Sequence, residues 1–431
     1  MNDPVVASAP VSSVSRWGRF GVLWSAQTIS VTARGLTTFG LGVWLFEKTH
    51  SATLYTLLSV CALLPGLLAA PFFGVLSDRL GPRKSLLIAD GGAVLVGALL
   101  SLSFVFGVAS APLLYGLLTL DALLIAMHWP AYTALVTQVA PSEQLPRAAA
   151  LMQLGYAGQG VLAPAIAGVL LTLTGAGGLI AVDVVTSVLA VAVVWNLPAL
   201  PVVASAGTRV WTEFMQAVRM IRERGLMRLA VYIIATYLPG GLVLALATPL
   251  VLTLAPPRTL GWVLSAMGSG MLVGSVVASG LAHPRNGIRR LLGYDGLLAA
   301  AMLLAGFART PASIAVLGFC FLFGLGGMMA EEQAIWQIRI PLEAQGRVFA
   351  IRRVLTWSSL PLSYALAGLL SDHFFEPAMA GAGQISAWFG PYFGTGPGRG
   401  MALLLVCGGA VKTAVLLWGS FDRKLHALDL A

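Results

Sequence analysis

Long apolar runs separated by short polar stretches set the pattern of this chain. A membrane-spanning helix needs about 20 mostly apolar residues. Twelve segments meet that need, at about 19–46, 52–76, 86–107, 112–139, 148–174, 177–197, 228–255, 260–281, 291–308, 312–338, 348–371 and 400–419. Several exceed the minimum, which predicts tilt or extension past the hydrocarbon. The middle of the chain differs. Pro198 to Thr208 is a Pro/Ala/Val/Ser linker. After it, Trp211, Phe214, Met215, Val218 and Ile221 recur at helical spacing, with Arg219, Arg222 and Arg224 off that stripe. This predicts an amphipathic helix on the inner leaflet, dividing the spans into six and six. The expected layout is a tail at 1–18, a first bundle at 19–197, a linker with its helix at 198–227, a second bundle at 228–420 and a tail at 421–431. The fold class is an all-α membrane protein, two pseudo-symmetric bundles around a central cavity.

Composition agrees. The 431 residues are 58% hydrophobic and only 10% charged, against roughly 25% charged in a soluble domain. The net charge of +9 forms no single basic patch, which argues against nucleic acid. Of the 26 basic residues, 20 fall in loops on one side, including Arg79, Arg83, Lys84, Arg147, Arg219, Arg290, Arg347 and Arg352. Four fall on the other: Lys48, Arg258, Arg309 and Arg399. By the positive-inside rule both termini are cytoplasmic. The first 18 residues show no cleavage site after an apolar stretch, so no signal peptide is expected. Cys61, Cys320 and Cys407 lie in apolar runs without ligand spacing and read as buried thiols. No metal spacing and no phosphate-binding Gly/Lys loop appears, so no cofactor is expected and ATP is not the energy source.

The halves echo each other. Pro141, Glu143 and Arg147 before the fifth span match Pro341, Glu343 and Arg347 before the eleventh, and Asp90-Gly91 matches Asp295-Gly296. Parallel six-helix repeats with a substrate site between them are a known transporter plan.

Between the second and third spans stands "GVLSDRLGPRKS". Gly74, Asp78, Arg79, Gly81, Arg83 and Lys84 in this spacing resemble the signature loop of the major facilitator superfamily. "WPAYTAL" from Trp129, "QGRVFAIRRVL" from Gln345 and "TGPGRG" from Thr395 resemble its macrolide-efflux and enterobactin-exporter-like branch. The resemblance covers essentially the whole chain. It implies alternating access and export of bulky amphipathic molecules coupled to proton entry, with the first, fourth, seventh and tenth helices lining the cavity. The loop's own chemistry suggests a latch. Gly74 and Gly81 allow a tight turn and close approach. Asp78 can face the positive end of the helix that starts near Arg347. Such contacts exist only when the cytoplasmic side is shut.

An ionisable group at mid-bilayer faces a cavity or a partner. Glu331 and Glu332 are adjacent, about 100° apart on one helix, and one of them is the expected proton carrier, with Asp121 second. Arg34, roughly 22 Å along the first helix, is the expected counter-charge or anchor for an anionic group; a static pair between it and the glutamates is the alternative. Asp183 reads as a structural hydrogen-bonder, Asp90 and Asp295 as partners of loop arginines, and Lys412 as snorkelling or paired. Gln27, His128, Trp129, Tyr132, Tyr232, Thr236, Tyr237, Gln333 and Trp336 are candidate substrate contacts, since aromatic faces with few polar groups suit a large apolar ligand. Pro130, Pro239 and Gly240-Gly241 are candidate hinges. The loop at 373–399 is a lid or an interfacial rest.

The sequence therefore predicts a proton-driven exporter in the bacterial inner membrane and not an enzyme. Its partners are lipid, protons and an amphipathic small molecule, and it works as a monomer. A lipid or lysolipid flippase and a non-transporting sensor are the alternatives.

Overall fold

The computed structural model describes residues 13–197, 210–280, 286–381 and 383–429. The stretch Pro198 to Thr208, and the side chains of Asp78, Trp211, Phe214 and Arg347, lie outside the described residues. The chain is helical throughout these segments. The first half comprises α1 (Ser13–Thr49), α2 (Ala52–Leu80), α3 (Pro82–Val105), α4 (Ala111–Val139) and α5 (Leu145–Trp195). A short amphipathic α6 (Val210–Glu223) follows. The second half comprises α7 (Met227–Leu252), α8 (Pro257–Gly280), α9 (Gly287–Leu304), α10 (Pro311–Arg339), α11 (Leu342–Trp357) and α12 (Ser359–Leu370). It continues through α13 (Glu376–Ala380), α14 (Gln384–Phe393), α15 (Arg399–Phe421) and α16 (Arg423–His426).

Eleven helices among the described residues are long and apolar enough to cross a membrane. The twelfth span is hidden in α5. Its 51 residues would reach about 76 Å at 1.5 Å per residue, more than twice a hydrocarbon core of about 30 Å. Gly175, at φ 66° and ψ −175°, breaks it into two spans. Only glycine adopts that backbone without strain, so spans five and six turn on one residue with almost no loop.

Three boundaries move from the sequence reading. The first helix begins at Ser13, not near 19. The eleventh span is built of α11 and α12 and runs on through a π-helical turn (Ser371–Phe375) to Ala380. The tail expected at 421–431 is docked over residues 422–429. Leu425 is buried, Asp422 pairs with Arg228 at 3.4 Å, and the Asp429 carboxylate accepts from the Ile288 N–H at 2.8 Å at the start of α9. That helix start has unsatisfied N–H groups, and a carboxylate caps them. The 373–399 segment is likewise fastened to the second half. Phe393 is buried against Phe307, and Glu376 accepts from the N–H groups of Gly398 and Met401 at the start of α15.

Among the described residues the halves share a core at one end only. Val43, Phe46 and Ala52 of the first half join Leu246, Leu250 and Ala367 of the second in one apolar cluster. These residues lie at the end remote from Arg79, Arg83 and Arg147. At the basic end the clusters stay separate: Phe20, Leu86, Tyr132 and Val194 in the first half, Tyr232, Trp336, Val348 and Leu425 in the second. The α6 helix joins the second of these through Ile221, packing on α11. Met215, on the expected apolar stripe of α6, is half exposed.

Candidate functional site: charged residues within the helices

In the second half every carboxylate of the helix interior has a basic partner among the described residues. Asp295 of α9 meets Lys412 of α15 at 2.6 Å, both without exposure, and also accepts from Tyr232 (2.6 Å) and Thr236 (2.8 Å) of α7. Glu331 of α10 forms a two-pronged bond with Arg290 of α9, at 2.6 and 2.8 Å. Glu332, the next residue, points elsewhere. Its oxygens lie 3.7 Å from Arg352 Nε of α11 and 3.3 Å from the Tyr237 hydroxyl of α7. Arg352 also donates to Gln333 Oε1 at 2.6 Å, and its cation stands 5.7 Å from the Trp336 ring and 5.2 Å from that of Phe349. Its Nη1 is buried and has no hydrogen-bond partner among the described residues.

The first half is organised differently. Gln27 of α1 donates to Asp90 Oδ2 of α3 at 2.7 Å, and its Oε1 lies 2.9 Å from His128 Nε2 of α4. His128 Nε2 is also 3.4 Å from Asp90 Oδ1. Seven residues along α1 from Gln27, and so on nearly the same face, Arg34 approaches Asp121 of α4 at 3.8 Å. A small hollow of about 10 Å³ touches Arg34, Thr37, Asp121 and Asp183, close to the room one water needs. Asp183, beyond the Gly175 break, accepts from Ser187 at 3.3 Å, which in turn meets Ser30 at 3.2 Å.

These pairings correct several expectations. Neither Glu331 nor Glu332 meets Arg34, because each finds an arginine on a neighbouring helix of its own half. Asp90 and Asp295 do not bind loop arginines; each turns inward to polar groups of the helices packed on it. Of the candidate substrate contacts, Trp129, Tyr237 and Gln333 are half-buried. Gln27, Arg34, His128, Tyr132, Tyr232, Thr236 and Trp336 are buried within their halves. A helix has a face toward its own bundle as well as one toward the cavity, and the apolar pattern does not distinguish them. Arg352 was missed: its place in "AIRRVL" reads as a loop charge, although a basic residue inside an otherwise apolar span was the available signal.

In the signature loop Gly81 turns the chain from α2 to α3 at φ 82°. Arg79 and Lys84 are exposed. Arg83 does not reach across the seam; it donates to the carbonyls of Val194 and Trp195 at the end of α5, which lie beside it. A Cβ on Gly74 would meet nothing within 4 Å, so no close approach depends on it in this state. At the opposite end a carboxylate does bridge the halves. Asp372, past α12, accepts from Ser51 Oγ at 2.6 Å and from the N–H groups of Ala52 (3.0 Å) and Thr53 (2.8 Å) at the start of α2.

Residues 23–365 match the family model described as Major Facilitator Superfamily. The chain belongs to this superfamily. It is 23% identical over 371 residues to Macrolide efflux protein A of Streptococcus pyogenes, covering 82% of this chain and 89% of that one. It is equally identical over 390 residues to the uncharacterized MFS-type transporter YfiS of Bacillus subtilis, covering 85% and 87%. Its fold is similar to the inward-facing, unoccupied crystal structure of a bacterial homolog to the human lysosomal transporter Spinster. The TM-score is 0.71 at 13% identity, over 98% of this chain and 99% of that one. A D-xylose-proton symporter follows at TM-score 0.63 and 17% identity, over 96% and 97%. The protein is thus a multi-pass membrane transporter and not an enzyme.

Proposed function

We propose that this transporter is a proton-coupled exporter of bulky amphipathic molecules, macrolides among them, acting as a monomer by alternating access. The observation that carries this reading is the likeness to Macrolide efflux protein A along most of both chains. The charge distribution supports the direction. If the basic loops and both termini face the cytoplasm of a bacterial inner membrane, the end where the described residues of the two halves share no core faces inward, where an exporter loads.

The substrate seat is the seam flanked by Trp129, Tyr237 and Gln333. Glu332 is the exchanging carboxylate, with Arg352 rather than Arg34 as its counter-charge. A cationic group of the substrate and a proton both need the ionised Glu332, so they exclude one another, and mutual exclusion at one carboxylate yields exchange. Asp78 and its neighbours serve the opposite state, in which the basic end is shut.

The test uses inside-out vesicles and a radiolabelled macrolide. Accumulation is expected only with an acid lumen and should collapse with a protonophore. Glu332→Gln should weaken drug binding and abolish drug-induced proton movement together, because one ionised carboxylate serves both. Accumulation indifferent to the gradient would refute the coupling. Movement of labelled lipid in its place would make the protein a flippase, and binding without movement a sensor.

A further inference from the structure

The two halves differ in their internal charge balance. In the second, Asp295, Glu331 and Glu332 stand one to one with Lys412, Arg290 and Arg352. In the first, among the described residues, three buried carboxylates, Asp90, Asp121 and Asp183, face a single permanent cation, Arg34. The remaining titratable group among them is His128. With a neutral imidazole and ionised carboxylates this cluster holds a net charge of two negatives away from water. Uncompensated buried charge costs several kcal/mol per ion, and the usual relief is to take up a proton.

The hydrogen bonds around His128 offer that proton a place. Gln27 must present its NH2 to the Asp90 carboxylate, so its carbonyl oxygen faces His128 Nε2. Both neighbours of Nε2, Gln27 Oε1 and Asp90 Oδ1, are acceptors, and Nε2 therefore carries a hydrogen. Nδ1 is then the basic nitrogen of the ring. Asp90 Oδ1 is buried, receives no hydrogen bond at ordinary distance, and lies 3.4 Å from Nε2. It is a carboxylate oxygen placed to accept a stronger bond once the ring becomes cationic.

We propose that His128 and Asp90, held by Gln27, form a second proton-binding site of this transporter, inside the first half. A proton adds to Nδ1, turning a neutral imidazole beside a carboxylate into an imidazolium–carboxylate pair, and the same proton leaves to restore it; no other bond changes. The groups that face the pair are Gln27 and Arg34 from α1 and Asp121 and Tyr132 from α4. Burial and Arg34 oppose protonation; Asp121 favours it. The proposal rests on the proton-coupled reading for its role in transport, but not for the existence of the site.

Two measurements separate those levels. The first follows the ring-carbon signals of the five histidines in detergent-solubilised protein labelled with 13C-histidine, from about pH 5 to about pH 8. The His128 signal, identified by its loss in His128→Gln, should titrate, and Asp90→Asn should move its midpoint down by removing the facing carboxylate. A His128 ring that keeps one charge state throughout, or whose midpoint ignores Asp90→Asn, would overturn the site. The second counts protons moved per macrolide in vesicles. His128→Gln keeps the donor toward Gln27 but cannot gain a charge, and should lower the ratio by one proton while drug binding persists. An unchanged ratio would overturn its part in coupling. If the unsubstituted protein moves drug but no protons, the coupling reading fails while the titrating site stands or falls on the first measurement. Should His128→Gln not fold, comparison of Asp90→Asn with the unsubstituted protein gives the same answers.

Discussion

At the scale of single residues, the clearest statement of what holds the second half together is Lys412. It has no exposure, and its ammonium reaches Asp295, Thr236 Oγ1 and the Thr236 carbonyl. Removing one partner of such a pair strands a buried charge, which costs about 3–5 kcal/mol, whereas replacing both can be neutral. Lys412→Met should therefore lower the thermal midpoint of the purified protein sharply, and Lys412→Met with Asp295→Leu should recover most of the loss. Equal destabilisation by the single and the double change would show that the pair is not what the lysine supplies. Such residues were legible in the sequence as charges out of place in apolar runs. Their partners were not. Glu331 and Glu332 are chain neighbours, yet one turns to α9 and the other to α7 and α11. The helical angle between them says that they diverge; only the packing of three other helices says toward what.

At the scale of elements, the apolar runs located the spans because bilayer thickness leaves little freedom in helix length. The breaks were harder to place. Gly175 looks like any of the glycines in "TGAGG", and its left-handed backbone is imposed by the need to turn two long helices without a loop. Asp372 is a second case. In sequence it is one acid after a span; in space it caps the first turn of a helix from the other half. A side-chain cap of this kind contributes roughly 0.5–2 kcal/mol, and one to two kcal/mol is a factor of about 5–30 in a two-state ratio. Asp372→Ala, which removes the cap, should move the population toward separation of the α2 and α12 ends by an amount within that range. Distances between spin labels placed near Thr49 and His373 would report it, and an unaltered distance distribution would remove Asp372 from the closure.

At the scale of the whole molecule, the repeat in the sequence announced two halves of one plan, and the structure shows where the plan diverges. Asp90 and Asp295 occupy matching places, yet one sits with an amide and an imidazole and the other with an ammonium. The repeat could not disclose this, because Lys412 lies in α15, outside the stretches in which the two halves echo each other. The two halves close at one end through unusually short distances. A Cβ on Gly168 of α5 would stand 2.6 Å from the Gly261 Cα of α8, and one on Gly368 of α12 would stand 2.6 Å from the Thr53 Cα. Backbone cannot yield as a flexible side chain can. A lone methyl group at Gly168 is thus a chock in a hinged door: Gly168→Ala should stall the cycle with the end remote from the basic loops ajar, seen as lasting access of a membrane-impermeant thiol reagent to a cysteine placed at Val43. Such a jammed variant would also offer a homogeneous specimen in which to view the pose that this structure does not adopt.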